Sequence, residues 1–196
     1  QFGFGEDIDD INWSKVSEQA DICDEPIEDA VSDVAPRYAC GVAFDESTPN
    51  HECEQAILLS CDGQLFYDKE GKVYMEAGSW SEPTLTLSKA RDILAFSSRA
   101  SEDGENETDG VVVTYTEPGL GFVEQPAAPW NNPDYYDPAA TPNYLQVRIP
   151  SIQNHRQAVT VAKAIGTRSQ ARQRCAPQVG LRALLAQRQR IIELDY

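Results

Sequence analysis

The sequence predicts a mixed α+β protein, and three stretches carry that prediction. Residues 111–116 (VVVTYT) are β-branched at nearly every position, the strongest strand signal in the chain. At 144–149, Leu145, Val147 and Ile149 alternate with Gln146 and Arg148 before Pro150 stops the run, the period-two pattern of a half-buried strand. The third is helical: at about 100° per residue, Ala158, Val161, Ala162, Ile165 and Ser169 fall on one stripe, with Arg156, Lys163, Gln170 and Arg174 on the far side. Asn154 followed by Gln157 reads as a capping pair, so a long amphipathic helix is expected over 154–175.

In chain order, Trp13, Val16, Ala20 and Cys23 recur at helical spacing after Asn12, a capping residue, and predict a short first helix. Residues 24–36 are acidic and bounded by prolines, which suits a surface loop. A strand is expected over 37–44 from its Tyr, Val and Phe content. Thr48-Pro49 then reads as an N-cap with proline at the first helical position, opening a second helix that turns Cys53, Ala56, Ile57 and Cys61 inward and ends at Asp62-Gly63. Residues 65–68 and 72–77 alternate across Lys69-Glu70-Gly71, which predicts a β-hairpin with glycine where a positive φ is needed. Short strands are expected at 84–87 and from Leu94 onward, then an acidic loop at 101–110. Residues 125–143, rich in Pro, Asn, Asp and Ala but holding Trp130, Tyr135 and Tyr136, should lie as a strap across a neighbouring surface. Extended chain is expected again over 179–185 and 190–196. The domain organisation expected from this order is an acidic α+β module over 1–100 with its core at 37–87, a loop at 101–110, and a β-rich domain over 111–196 carrying the strap and the long helix.

The 196 residues suffice for a real core, and 41% hydrophobic content is globular. The net charge of −16 is unevenly spread: residues 126–196 hold nine basic and four acidic residues, a net +5, which leaves −21 on the rest. Phosphate contacts need Lys and Arg, so the acidic part is no nucleic-acid surface; a charge-matched neighbour suits it better. Five cysteines, odd in number and without CxxC spacing, read as reduced, small apolar residues. No charged-then-apolar leader and no apolar run of about 18 residues occurs, so neither a signal peptide nor a membrane span is expected. With Gln1 first and Met75 its only methionine, the chain is expected to be part of a longer polypeptide.

Chemistry-bearing patterns are sparse. His51 and His155 stand at helix starts, where polar residues are common, and neither is assigned a catalytic role. Cys53 and Cys61, eight residues apart on a helix, are about 12 Å apart along its axis and do not share a zinc ion. Gly119-Leu-Gly121 lacks the third glycine of a dinucleotide loop and opens no helix. With 32 carboxylates, acid pairs at catalytic separations arise by chance. No catalytic, cofactor or metal residue is assigned, and the chain is expected not to be an enzyme. The candidate interface residues are Arg156, Lys163 and Arg174 on the basic side of the long helix, and Trp130, Tyr135 and Tyr136 in the strap. The three aromatics also support an alternative, a host-surface carbohydrate-binding module.

A succession of stretches resembles the hub region of tailed-bacteriophage tail-tip proteins, the group that includes the lambda-type tip attachment protein and its relatives in prophages and gene transfer agents. The matching pieces are 36–42 (PRYACGV), 56–68 with DGQLFYD, 71–78 (GKVYMEAG), 110–118 (GVVVTYTEP), and the strand and helix at 147–174 with Gln157-Ala158 and Ala162-Lys163. The resemblance implies a β-rich part-barrel hub flanked by an α+β module, and a structural role in tail assembly and host attachment without a cofactor. It further implies partners among its own copies, in a ring of three, and among tail-tube or tail-tip proteins. The location it implies is the virion tail, assembled in a bacterial cytoplasm whose reducing conditions suit the odd cysteine count.

Overall fold

A computed structural model describes residues 7–27, 35–79, 82–100, 108–133, 136–169, 173–188 and 191–195. In chain order its elements are α1 (Trp13–Asp24), β1 (Pro26–Ile27), β2 (Ala35–Pro36), α2 (Asn50–Ser60), β3 (Gln64–Tyr67), β4 (Val73–Glu76), β5 (Thr86–Ser88) and β6 (Ile93–Ala100). There follow β7 (Gly110–Glu117), β8 (Val123–Pro126), β9 (Trp130–Asn131), β10 (Tyr144–Arg148), α3 (His155–Ser169), β11 (Gln173–Val179) and β12 (Glu193–Asp195). The fold is α+β as expected, and its sheets are open, with no closed barrel among the described residues.

The chain forms two units that interleave in sequence, one from residues 1–78 with 107–170 and the other from 79–106 with 171–196. Where the sequence suggested an α+β module followed by a β-rich domain, the segments at 37–78 and 110–169 share one unit. The physical reason is a common core: Tyr38, Cys61 and Ala77 from the first segment are buried with Val111, Val113, Ile149, Ala158, Val161 and Ala162 from the second.

The centre of this larger unit is β7. Strand β10 pairs with it in parallel through five consecutive residues, Tyr144↔Gly110 to Arg148↔Thr114. On its other side β8 and β9 pair antiparallel, Thr114↔Pro126 and Val111↔Trp130. Val111, Val113 and Tyr115 point to the face that α3 covers, and both valines are fully buried. Burying a side chain of that size contributes roughly 1.5–3 kcal/mol, so this alternation fixes which face of β7 meets the helix. The α3 stripe is as expected at Ala158, Val161 and Ala162, and it also includes Gln157 and Gly166, whereas Ser169 is exposed.

The first helix follows its expectation: Asn12 Oδ1 accepts from Lys15 N at 3.1 Å. Trp13, the first of its helically spaced residues, is 55% exposed, its indole N–H donating to the Ile8 carbonyl at 3.1 Å. The β3–β4 hairpin also matches, with Gly71 at φ 82°. Its turn is tied by Asp68, whose Oδ1 accepts from Glu70 N (2.8 Å) and Lys72 N (2.9 Å).

Four local expectations are corrected. Residues 37–44 form no strand, because their backbone groups are satisfied elsewhere: Tyr38 N donates to Cys23 O, and Gly41 N to Ser151 O. The cap of α2 is shifted, since Thr48 Oγ1 accepts from Asp45 N in a turn and the helix starts at Asn50 after Pro49. The long helix, described over His155–Ser169, does not reach Cys175, because Gln173–Val179 pairs antiparallel with β6 as strand β11. Thr167 and Ser169 turn their hydroxyls back onto the Lys163 and Gly166 carbonyls, at 2.8 and 3.0 Å. Finally, 181–188 is a 3-10 helix rather than extended chain.

In the smaller unit β12 runs parallel to β5, Leu194 opposite Leu87. Asp92, 2% exposed, accepts from Ser88 N at 3.1 Å and lies in ion-pair contact with Arg91 and Arg182, each at 3.2 Å. The expected acidic loops fall partly outside the described residues, at 28–34 and 101–107.

Candidate interaction surfaces

The helix that carries the basic candidates is held at its start by two different amides. Asn154 Oδ1 caps it, accepting from Arg156 N (2.8 Å) and Gln157 N (3.3 Å). Gln157 does not complete the expected capping pair. Its side chain turns into the core, 2% exposed, where Nε2 donates to Ala39 O (2.9 Å) and Ser60 O (2.7 Å) while Oε1 accepts from Ala39 N (3.1 Å). Three chain segments therefore meet at one side chain. A polar residue on an otherwise apolar stripe was the sequence signal for it.

The predicted basic residues do not share one helix face. Arg156 is half-buried, and its Nη1 is enclosed without a hydrogen-bond partner. Lys163 is exposed two turns further along. Arg174 lies on β11, opposite Arg99, in the other unit, so the three residues do not share a helix face. In the strap, Trp130 is half-buried and packs against the core. A Cβ at Gly166 would overlap its ring, so that glycine is the space the indole fills. Tyr136 is half-buried, its N–H donating to Asn132 O at 3.0 Å, and Tyr135 lies outside the described residues.

Sequence reasoning missed two clamps across β7. Arg148, on β10, reaches over β7 to Glu124 on β8, with Nε 3.0 Å from Oε1 and 2.8 Å from Oε2. The guanidinium hydrogen bonds and charge hold the Glu124 carboxyl below its ordinary range. At the other end of β10, Tyr144 OH donates to Asn131 Oδ1 on β9 at 2.9 Å, crossing β7 at Gly110. Gly110 is required there, because a Cβ would overlap the Trp130 carbonyl. These pairs are legible only once the register is known.

A third side-chain contact, this one an ion pair, joins α3 to the end of α2. There Asp62, at φ 53°, terminates the helix, with Gly63 N donating to Leu58 O at 2.7 Å as in a Schellman motif. Arg168 pairs with Asp62 beside a shallow depression of about 400 Å³ that Gln55, Leu58, Leu59 and Gly63 also line. At the far end of β7, Leu120 and Phe122 are 60% and 66% exposed on a tight turn where Gly121 and Phe122 have φ of 78° and 63°.

Among the described residues no set of three His, Cys, Asp or Glu side chains could hold a metal ion. Cys23, Cys40, Cys53 and Cys61 are free. Burial pushes the Cys61 thiol up to about 11 and raises Cys23 as well, so neither is an activated nucleophile. Tyr115, pushed up to about 12 by burial and by its hydrogen bond to Glu117 Oε2 (2.8 Å), meets the His155 ring edge-on at 5.7 Å.

No family model and no curated protein matches the chain. Among solved structures it is similar to the 43 kDa tail protein of prophage MuSo2 from Shewanella oneidensis, at 12% identity and a TM-score of 0.43, over 70% of this chain and 38% of that one. It is also similar to a tail protein from Neisseria meningitidis MC58, at 13% identity and a TM-score of 0.45, over 76% and 42%. The chain spans about four tenths of the length of each. At these values neither likeness carries a functional assignment.

Proposed function

We propose that this chain is a non-catalytic structural component of a phage tail, a piece of a tail-tip hub protein that works in tail assembly and host attachment. One observation carries the proposal. The stretches that resemble the hub family, at 36–42, 56–68, 71–78, 110–118 and 147–174, are scattered through the sequence, but all of them up to Ser169 belong to the larger unit, around one core, and only the end of the last one falls in the smaller unit. Buried Tyr38, Cys61, Ala77, Val113 and Ala158 each come from one of these stretches. Their partners would be other copies of the chain in a ring and neighbouring tail proteins. The carbohydrate-binding alternative loses its main anchor, because the Trp130 indole sits over Gly166 in the core instead of forming an open stacking platform.

The experiment is to raise an antibody against the purified chain and apply it to phage particles from the source strain. Decoration at the distal end of the tail, together with tailless or tipless particles when the reading frame is deleted, is the expected result. Normal particles after deletion would refute the tail role.

A further inference from the structure

Among the described residues, the four-stranded sheet of the larger unit leaves β10 with one neighbour, and the chemistry of its outer edge is self-complementary. At one end Asp109 N donates to Asn143 O (2.9 Å), and at the other Ile149 N donates to Thr114 O (2.9 Å). In a parallel pair the residues alternate between bonding inward and bonding outward. Residues 143, 145, 147 and 149 therefore turn their N–H and C=O toward β7, and Tyr144, Gln146 and Arg148 turn theirs away from it. The strand itself lacks the usual edge protections: β10 holds no proline, no lysine and no bulge. Its one charge, Arg148, is folded back across the sheet to Glu124.

We infer that this edge is where two copies of the chain pair, antiparallel about a two-fold axis through Gln146. That register sets Tyr144 opposite the second copy's Arg148, Leu145 opposite its Val147, and Gln146 opposite its Gln146. Every outward-bonding residue then faces another, giving about six backbone hydrogen bonds. The side chains match as well. Leu145 and Val147 lie on the face that α3 covers, where Val147 packs against the core and Leu145 is left 38% exposed at the sheet margin. Pairing covers Leu145 with the second Val147. On the other face Arg148 and Tyr144 are both drawn inward across β7, to Glu124 and Asn131, so no like charges meet across the pair.

An isologous contact of this kind closes at two copies, so it is distinct from the head-to-tail contact of a ring; the two coexist where rings meet back to back. It stands independently of the tail proposal, since the edge belongs to the folded unit whatever the whole protein does. Two copies at −16 repel at long range, so pairing is to be measured at about 0.15 M salt, where screening acts within about 8 Å.

The test is sedimentation equilibrium of the full chain from about 5 to 200 μM, compared with Gln146→Pro and Leu145→Lys. Proline at 146 removes only an outward N–H, so β10 keeps its bonds to β7 and the fold survives. The expected result is a monomer–dimer equilibrium that weakens about 100-fold in each variant, with circular dichroism unchanged in Gln146→Pro. Val123→Lys on the opposite edge leaves it unaltered. As a register test, Gln146→Cys in a Cys40→Ser background should form an intermolecular disulfide, because the two Cα atoms lie about 5.5 Å apart. A chain that stays monomeric at 200 μM, a dimer that survives Gln146→Pro, or no gain in disulfide over the Cys40→Ser background overturns the proposal. These outcomes leave the tail role untouched, since that role is read from particles.

Discussion

Gln157 pairs with Ala39 as one β-strand residue pairs with another: its amide N–H donates to the Ala39 carbonyl at 2.9 Å and its amide oxygen accepts from the Ala39 N–H at 3.1 Å. The second amide hydrogen goes to Ser60 O at 2.7 Å. One side chain thus replaces a missing neighbouring strand at Ala39 and also fastens the end of α2. Gln157→Ala would leave a donor and two acceptors without their partners, in surroundings where an unmet polar group costs about 1–3 kcal/mol. We expect a loss of about 3 kcal/mol and a fall in Tm of roughly 6–12 °C. Gln157→Glu should be no better, because a carboxylate cannot donate to two carbonyls. Thermal denaturation of the two variants checks this, and a change below 2 °C in both would show that the amide is dispensable.

The same pair explains what was legible in the sequence and what was not. Strand β7 could be read from VVVTYT and strand β10 from its alternation, because each buries one face by a local period. The segment at 37–44 has the composition of a strand, but its hydrogen bonds go to a side chain 118 residues away and to a loop at 151. Helix α3 was legible along its apolar stripe, whereas the strand at 173–179 was not, since its pairing with residues 93–100 is not a local period. For the interface residues the limit is similar. Arg174 fell on the helix face only while the helix was assumed to reach it, and the clamps of Arg148 and Tyr144 depend on a register that no local pattern encodes.

Gly166 and Trp130 make a second paired prediction. A methyl group at 166 meets the indole, which is packed against the core and has little room to move. Overpacking of this kind costs typically about 1–3 kcal/mol, more than the gain of about 1 kcal/mol that alanine offers in a helix. Gly166→Ala should therefore lower Tm, and adding Trp130→Leu should make the second loss smaller than in the parent protein. Additive losses in the double-mutant cycle would show that the two residues do not share this space.

The thiols give a pH dependence of definite sign. Cys61 titrates near 11 when folded, above its ordinary value near 9, so between those two the folded state holds a proton that the unfolded chain has released. Its contribution is complete below pH 9 and is lost as pH rises to 11, on the order of 2–3 kcal/mol in all. Tyr115 adds a loss of the same sign from pH 10 toward 12. Stability measured from pH 8 to 11 should fall, and Cys61→Ala should flatten the slope between 9 and 10 while starting from a lower value. Alkylation near neutral pH should modify exposed Cys40 before Cys61, and purified protein should carry no stoichiometric zinc. Early reaction of Cys61 would mean that its burial is breached in solution.

The last prediction concerns Lys163, the exposed residue left on the basic side of α3 once Arg174 is placed on a strand and Arg168 is paired with Asp62. If copies meet in a ring with the acidic surface of one against this helix on the next, Lys163 contributes attraction across the contact and very little within its own chain. An exposed pair is worth at most about 1 kcal/mol, yet repetition around a ring multiplies it. Lys163→Glu should therefore leave Tm within about 2 °C, as surface changes do, while lowering incorporation of the protein into tail tips. Arg156 is a poor choice for the same test, because its guanidinium is partly enclosed and reversing it would disturb the fold as well. Incorporation should recover when Glu is introduced at 163 together with a lysine on the facing acidic surface, and the defect should shrink at high salt, which screens both attraction and repulsion. Normal incorporation of Lys163→Glu at ordinary salt would leave the basic side of α3 as solvated surface and overturn this contact.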